Sequence, residues 1–218
     1  PNNMRLIFEN VGRQTWGNCE LLIATHGFEV DPNKIAQLAD EFGVRKTRVI
    51  PIANERPLGF CLNELVQASE GDILVRMDDD DYYGRWYAED MVHAINFTKA
   101  DLVGKSATYI YFEETDATVL SYPGKENRFT DFVRGATFAG PRKTFMDYPF
   151  PEAERSEDSA ILARLKLDGK KIYCTNRFNY VVKRSADKTA HTWKVEDLSL
   201  FGTGEMKFYG FDPKQIEA

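Results

Sequence analysis

The apolar run DILVRM at residues 72–77 ends on four consecutive aspartates, Asp78 to Asp81. Four adjacent carboxylates repel one another and are costly beside a core. A fold that brings a hydrophobic strand to this point must give those charges water or a cation. A solvated acidic turn accounts for them in part, because Asp favours turns. A cation accounts for the whole arrangement better. Carboxylate oxygens suit hard divalent ions, and Mg²⁺ prefers one or two carboxylates together with substrate phosphates.

The chain leading to the aspartates alternates two periodicities. Residues 3–15 predict a helix, with Met4, Ile7, Phe8 and Val11 at helical spacing. CELLIAT (19–25) predicts a buried strand, 33–42 a helix stopped by Gly43, TRVIPI (47–52) a strand and 58–69 a helix. Residues 72–77 predict a third strand, apolar enough to be covered on both faces, and 86–96 a further helix. This rhythm predicts an α/β fold, a mostly parallel central sheet flanked by helices. Ligands in such sheets bind beyond the carboxyl ends of strands. His26-Gly27, Asn54-Glu55-Arg56 and the four aspartates all stand at such ends.

The second half reads differently, as a smaller antiparallel part. Residues 101–112 and 117–122 predict a long hairpin around Glu113 to Asp116, and FVRGATFAGP (132–141) is glycine-rich and strand-like. Residues 156–169 predict a helix, and 171–175 and 178–184 predict strands; the tail from Glu196 fits no pattern. No linker divides the chain, so the two halves read as one fold. The first element is a helix, where a right-handed crossover expects a strand before it. The sheet either begins late or has a strand upstream of residue 1.

Composition narrows the function. In 218 residues with 43% hydrophobic and 28% charged, there is material for one full core. The formal net charge is −6 and no Lys/Arg run occurs, which argues against a nucleic-acid polymer as partner. A nucleotide remains compatible, since one metal ion and two or three local cations hold a diphosphate. Cys19, Cys61 and Cys174 form neither a CxxC pair nor a disulfide framework and predict a reducing, cytoplasmic setting. No apolar stretch approaches the ~18 residues of a membrane span, so any membrane association would be peripheral. The start, PNNMRLIF, has no signal-peptide pattern.

The order of the segments resembles family 2 glycosyltransferases of the GT-A fold. It runs from Gln14-Thr15 and ELLI (20–23) to NERPLGFCLNELVQASEGDILVRMDDDD (54–81). It continues with Glu157-Asp158 opening a helix and ends at HTW (191–193). The resemblance covers roughly residues 4–193. It implies an opening strand before residue 1, central in the sheet. It also implies a division into a nucleotide-sugar-binding half (1–98), an acceptor and catalytic half (99–195) and a C-terminal extension (196–218).

Carried onto this sequence, the D-x-D motif falls on Asp78, Asp79 and Asp80. Asp80 would ligate Mn²⁺ or Mg²⁺, Asp78 and Asp79 would lie against the sugar nucleotide, and Asp81 would reach the metal or donor through water. The family's catalytic pair falls on Glu157 and Asp158, with Asp158 as the base. A late histidine, a further metal ligand, falls on His191. Asn63 occupies the family's asparagine before the D-x-D strand, and Arg184 lies where a cation can clamp a diphosphate. Two departures stand out. Leu62 replaces the usual arginine before the asparagine. Thr25-His26-Gly27-Phe28 stands where many members have D-D-G-S, which weakens the inference to uridine.

The resemblance implies a metal-dependent, inverting transfer of a sugar from a nucleotide-diphosphate sugar, UDP-linked or similar, to an acceptor hydroxyl in surface polysaccharide or glycan synthesis. The acceptor would be a glycan, a lipid-linked group or another hydroxyl. Plainer readings remain beside it. Ser156 can cap a helix whose first turn favours acidic residues, which explains Glu157 and Asp158 without catalysis. His191 fits a loop, and Tyr82, Tyr83, Trp86 and Tyr87 fit packing around the next helix. Gly135-Ala136-Thr137 could admit a sugar close to the backbone or mark a strand kink. A sugar nucleotidyltransferase of the same fold, or a non-catalytic module that binds a divalent ion or sugar nucleotide, are the rival functions.

Overall fold

A computed structural model describes residues 3–153, 156–186, 202 and 204–217. Helix α1 (Met4–Gly12) buries Met4 and Phe8 and packs on α2 (Pro32–Phe42). Asp31 starts α2 by accepting the amide of Asn33, and Pro32 fills the first helical position, where no backbone donor is needed. Gly43 ends it at φ 68°, a left-handed cap that glycine adopts without strain. Each of these helices is followed in the chain by a strand, β1 (Leu21–His26) and β2 (Thr47–Ile52); the two strands pair in parallel with Leu21 opposite Thr47 and His26 opposite Ile52. Leu21, Ile23, Ile35, Leu38 and Val44 close one core with α1.

The next elements are α3 (Leu58–Ala68), β3 (Ile73–Val75), β4 (Tyr82–Tyr83), α4 (Tyr87–Thr98), β5 (Leu102–Gly104), β6 (Thr108–Phe112) and β7 (Ala117–Ser121). They are followed by β8 (Arg128–Phe129), a 3₁₀ turn at Gly135–Thr137, β9 (Ala139–Pro141), α5 (Arg142–Asp147) and α6 (Glu157–Leu167). Last come β10 (Ile172–Cys174), β11 (Tyr180–Arg184), β12 (Gly204–Tyr209) and α7 (Pro213–Ile216).

Among the described residues the strands form three sheets: β1-β2, β3-β9-β5-β10-β8 and β12-β7-β6-β11-β4. The α/β class holds, but the pairing is more mixed than the helix–strand rhythm predicts. β5–β10 and β6–β11 are parallel, like β1–β2, whereas β9 runs antiparallel to both β3 and β5. β3 is half-buried rather than fully covered. Periodicity reports burial, not the direction of a partner strand, and β9 arrives from far along the chain.

The hairpin expected at 101–112 and 117–122 is also divided. β6 and β7 pair around residues 113–116 as expected, but β5 belongs to the other sheet. The break lies at Lys105 and Ser106. Their amides bond to Thr137 Oγ1 (2.8 Å) and Cys174 Sγ (3.1 Å), so the chain leaves one ladder and enters another. The glycine-rich stretch at 132–141 is the 3₁₀ turn followed by β9, not one strand.

Two cores meet along β5. One packs Val66, Leu102, Phe138, Phe145, Phe150, Ile161 and Leu165 between α3, α5 and α6; the other packs Tyr83, Tyr87, Met91, Val103 and Tyr180 beneath α4. Each fully buried side chain of this size contributes roughly 1.5–3 kcal/mol. The carboxyl end of β3, the start of β4 and the start of α6 are thereby fixed relative to one another. Among the described residues no helix is long and apolar enough to cross a membrane.

Candidate active site

β3 runs out of its sheet at Arg76, whose amide still bonds to the carbonyl of Phe138 at 2.8 Å. The guanidinium of Arg76 turns toward Asp78, with Nε 2.8 Å from Oδ1 and Nη2 3.3 Å from Oδ2. Its Nη1 lies 3.8 Å from Oε1 of Glu157 at the start of α6. The side chains of Arg76 and Glu157 are only 13% and 9% exposed, so the ion pair is sheltered from water. Burial acts to lower the affinity of the Arg76 guanidinium for its proton. The neighbouring Asp78 charge and hydrogen bond, with Glu157 behind them, outweigh burial and raise it. Nη1 is buried and has no hydrogen-bond partner among the described residues. One cation thus joins the first aspartate of the acidic run to the Glu157-Asp158 pair, 79 residues apart in sequence.

A second link runs through the backbone. The Tyr83 hydroxyl accepts the amide of Asp78 at 2.7 Å and donates to the carbonyl of Ala136 at 2.8 Å. Ala136 is in the 3₁₀ turn, and the turn lies against Asp158. A Cβ built on Gly135 would stand 2.5 Å from Asp158 Oδ2, closer than real atoms approach. Glycine is required there so that the backbone and the carboxylate can meet. The other carboxylate oxygen, Oδ1, accepts the amide of Ser159 at 2.6 Å.

Ser156 does not act as the side-chain cap that its position suggests. It sits at φ 67° and makes no capping hydrogen bond. A left-handed serine costs of order 1–3 kcal/mol and persists where the surroundings enforce it. Glu157 is buried at 7% exposure, so a solvated acidic first turn does not describe it.

The four aspartates have separate surroundings. Asp78 is held by Arg76. Asp79 and Asp80 are exposed, and Asp79 accepts a long bond of 3.4 Å from Asn3. Asp81 turns inward and is buried at 5% exposure, accepting the Tyr180 hydroxyl (2.6 Å) and the Lys183 amide (3.1 Å). Burial raises its proton affinity well above the ordinary carboxyl value. The charges of Asp80 and Asp78 push the same way, and the two hydrogen bonds oppose them. Asn10 completes this corner by donating to the Asp81 carbonyl (2.9 Å). Tyr83 and Tyr87 are core residues, stacked edge-on at 4.7 Å, in line with the packing reading.

The remaining expected site residues are placed as follows. Asn63 exchanges two 2.8 Å hydrogen bonds with the backbone of Phe150, which fastens α3 to the segment leading to α6. Arg184 ends β11 and is buried at 6% exposure. His191 lies outside the described residues. Arg76 and Tyr83 were not singled out as site residues by their sequence. The available signal for Arg76 was a charged residue inside an otherwise apolar run, two positions before the acidic cluster.

The donor set is compatible with a hard divalent ion. Among the described residues no three His, Cys, Asp or Glu side chains converge as a ready-made cage. Asp79 and Asp80 nevertheless present exposed carboxylate oxygens beside Asp78, and an ion that also takes diphosphate oxygens needs only one or two carboxylates from the protein.

A family model described as "Glycosyl transferase family 2" matches residues 1–150. No curated protein matches the chain in sequence. Among solved structures, the chain is similar to residues 1–349 of TarS from S. aureus, with a TM-score of 0.62 and 15% identity; the match covers 84% of this chain and 58% of that one. The same TarS segment in complex with UDP-GlcNAc matches with a TM-score of 0.66 and 14% identity, over 88% of this chain and 59% of that one. The mannosyltransferase PcManGT from Pyrobaculum calidifontis, in complex with GDP-Man and Mn²⁺, matches with a TM-score of 0.64 and 14% identity, over 87% and 55%. At these identities the likeness establishes the fold, which is that of GT-A glycosyltransferases. The chain spans under three-fifths of the length of each of these proteins.

Proposed function

The chain belongs to glycosyl transferase family 2, and from that premise we propose that it transfers a sugar from a nucleotide-diphosphate sugar to an acceptor hydroxyl with inversion. One observation carries the reading. Arg76 binds Asp78 and approaches Glu157, so the acidic run and the start of α6 are neighbours in space. Proteins of this fold hold UDP-GlcNAc (TarS) and GDP-Man with Mn²⁺ (PcManGT), which supports a sugar nucleotide as the donor class.

In this reading Asp80 holds the divalent ion, with His191 as a further ligand, and Asp79 lies against the donor. A bound divalent ion supplies positive charge opposite the diphosphate leaving group. Asp78 is fixed by Arg76 and the Tyr83 hydroxyl and presents a set orientation to the sugar or ribose. Asp158 takes the proton from the attacking acceptor hydroxyl, a role that typically contributes ~10²–10⁴-fold. Glu157 keeps Asp158 in place through its tie to Arg76. The close approach of Gly135 to Asp158 holds the base at one position, so that little orientation is lost at the reacting step. The acceptor in this reading is a hydroxyl of a glycan, of a lipid-linked group or of another molecule.

A thermal-shift panel of UDP-GlcNAc, GDP-mannose and their free nucleotides, with and without Mn²⁺, identifies the donor, because a ligand bound to the folded state raises the melting temperature by mass action. With the donor found, Asp158→Asn is expected to keep the shift and lose ~10²–10⁴-fold in transfer. Asp80→Ala is expected to lose the Mn²⁺-dependent part of the shift. Near-normal turnover by Asp158→Asn would remove the base assignment, and a metal-independent shift unaffected by Asp80→Ala would remove the metal site.

A further inference from the structure

We propose that a second site, on the face of β4 turned away from the acidic cluster, binds the phosphoryl group of a phosphate ester. Tyr82 and Tyr83 are adjacent on β4 and point to opposite faces, as successive strand residues do. The Tyr83 hydroxyl meets Asp78 and Ala136, on the side of the candidate active site. The Tyr82 hydroxyl instead reaches Glu217, at a cavity of about 540 Å³ between α1, β4, β11 and α7. That is within the roughly 300–1,000 Å³ typical of small-molecule sites.

Three cations from three elements line the cavity: Arg13 after α1, Arg85 after β4 and Lys183 on β11. Aromatic rings hold them. Arg13 lies 4.5 Å from the ring centre of Tyr82, Lys183 4.5 Å from that of Phe211, and Arg85 5.0 Å from that of Trp86. Among the described residues none of the three forms an ion pair with a carboxylate. The two carboxylates of the lining are already engaged. Glu9 takes Arg5 at 3.2 Å, and Glu217 accepts the Tyr82 hydroxyl at 2.6 Å and the amide of Arg85 at 3.2 Å. A cavity with three cations and two engaged carboxylates stands out in a chain of formal net charge −6.

Cations held over ring faces keep their charge and remain able to donate to an anion. Arginine forks and a lysine ammonium match phosphoryl oxygens in geometry and charge. Three such donors suit the three terminal oxygens of a phosphomonoester, and Leu6 and Pro213 give the lining an apolar part for the ester's remainder. The site does not depend on the glycosyl-transfer reading: its lining side chains are not those of Asp78, Asp80 or Asp158, and it adjoins the acidic run only through the Lys183 amide on Asp81 and the Arg13 guanidinium on the Tyr83 carbonyl.

The test is calorimetric titration of the chain with inorganic phosphate and with glucose 6-phosphate, in EDTA so that no metal-assisted binding at the acidic cluster contributes. The expected result is saturable binding that weakens at least tenfold in Lys183→Met and in Arg13→Gln, and that persists in Asp80→Asn. Arg85→Gln, at an exposed position, gives a smaller loss and guards against a fold defect in the other two; circular dichroism checks all of them. Tighter binding of glucose 6-phosphate than of phosphate identifies an ester as the ligand, and equal binding identifies the anion alone. No saturable binding, an effect that chloride at equal ionic strength reproduces, or binding that survives all three substitutions would overturn the proposal.

Discussion

Arg76 and Lys105 are both sheltered cations, and the protein holds them in opposite ways. Arg76 stands between two carboxylates, and their charges outweigh the cost of burial and raise its affinity for the proton. Lys105 is fully buried at the end of β5 and donates to Thr175 Oγ1 (3.2 Å), the Asn176 carbonyl (2.9 Å) and Asn176 Oδ1 (3.0 Å), all neutral groups. Burial dominates there and lowers its pKa to about 8, with Asp90 opposing. The difference separates charge kept for chemistry from charge tolerated for structure. Beside the candidate active site, a fixed positive charge orients Asp78 and Glu157 at any working pH. At the end of β5, the ammonium satisfies three acceptors where the chain changes sheets, and it is less stable charged than in water.

The largest effect that sharpens this contrast is Arg76→Met. Removing one partner of a buried ion pair typically costs ~3–5 kcal/mol, because the remaining charges lose their compensation. Chemical denaturation should show a loss of that order, and Arg76→Lys should recover only part of it, since lysine lacks the fork that meets Asp78 twice. A loss below ~1 kcal/mol would place Arg76 with the surface pairs and end the contrast.

Lys105 gives the next effect, through pH. Below about 8 the folded and unfolded chains both carry the proton, and the fold bears the whole cost of the buried charge. Between about 8 and the ordinary lysine value of 10.5 the unfolded chain binds more protons than the folded one, so stability rises with pH. The full interval corresponds to about 3 kcal/mol. Tyr83, Tyr87 and Tyr180, whose hydroxyls burial pushes well above 10, oppose the rise above pH 10. Denaturation midpoints at pH 7.5 and 9.5 should therefore increase in the unaltered chain and change less in Lys105→Met. A fall between those two pH values, specific to the unaltered chain, would show that the neutral acceptors hold the charged form better than water does.

Much of the first half was legible because its elements bury one face each. Residues 47–52 form the expected strand without adjustment, and the helices ending at Phe42 and Ala68 lie within a residue of expectation. Short elements escaped. β4, β8 and α5 are two to six residues long, too short for a period to show. The sheet change at Lys105 escaped because it is made by bonds to Thr137 and Cys174, more than thirty residues away. At the candidate site, Asp78 and the Glu157-Asp158 pair were visible as residue types in order. Their joining was not, because it depends on Arg76 and on the Tyr83 hydroxyl, two side chains whose partners only the folded chain supplies.

The smallest effect concerns Asp81, the anionic counterpart of Lys105. Like that lysine it is buried against neutral partners, here the Tyr180 hydroxyl and the Lys183 amide. Its raised pKa means that the folded chain holds the proton more tightly than the unfolded one, so Asp81 makes the fold less stable as pH rises from the ordinary carboxyl range. Asparagine lacks that penalty. Its carbonyl can still accept the Lys183 amide, and its NH₂ can donate to the Tyr180 oxygen once the hydroxyl has rotated. Asp81→Ala leaves the hydroxyl and the amide without partners and should cost ~1–3 kcal/mol. At neutral pH Asp81→Asn should therefore be more stable than Asp81→Ala by that margin and close to the unaltered chain. If the two substitutions destabilise equally, the negative charge itself holds β4 to β11, and the acidic run is anchored in the same manner at both ends.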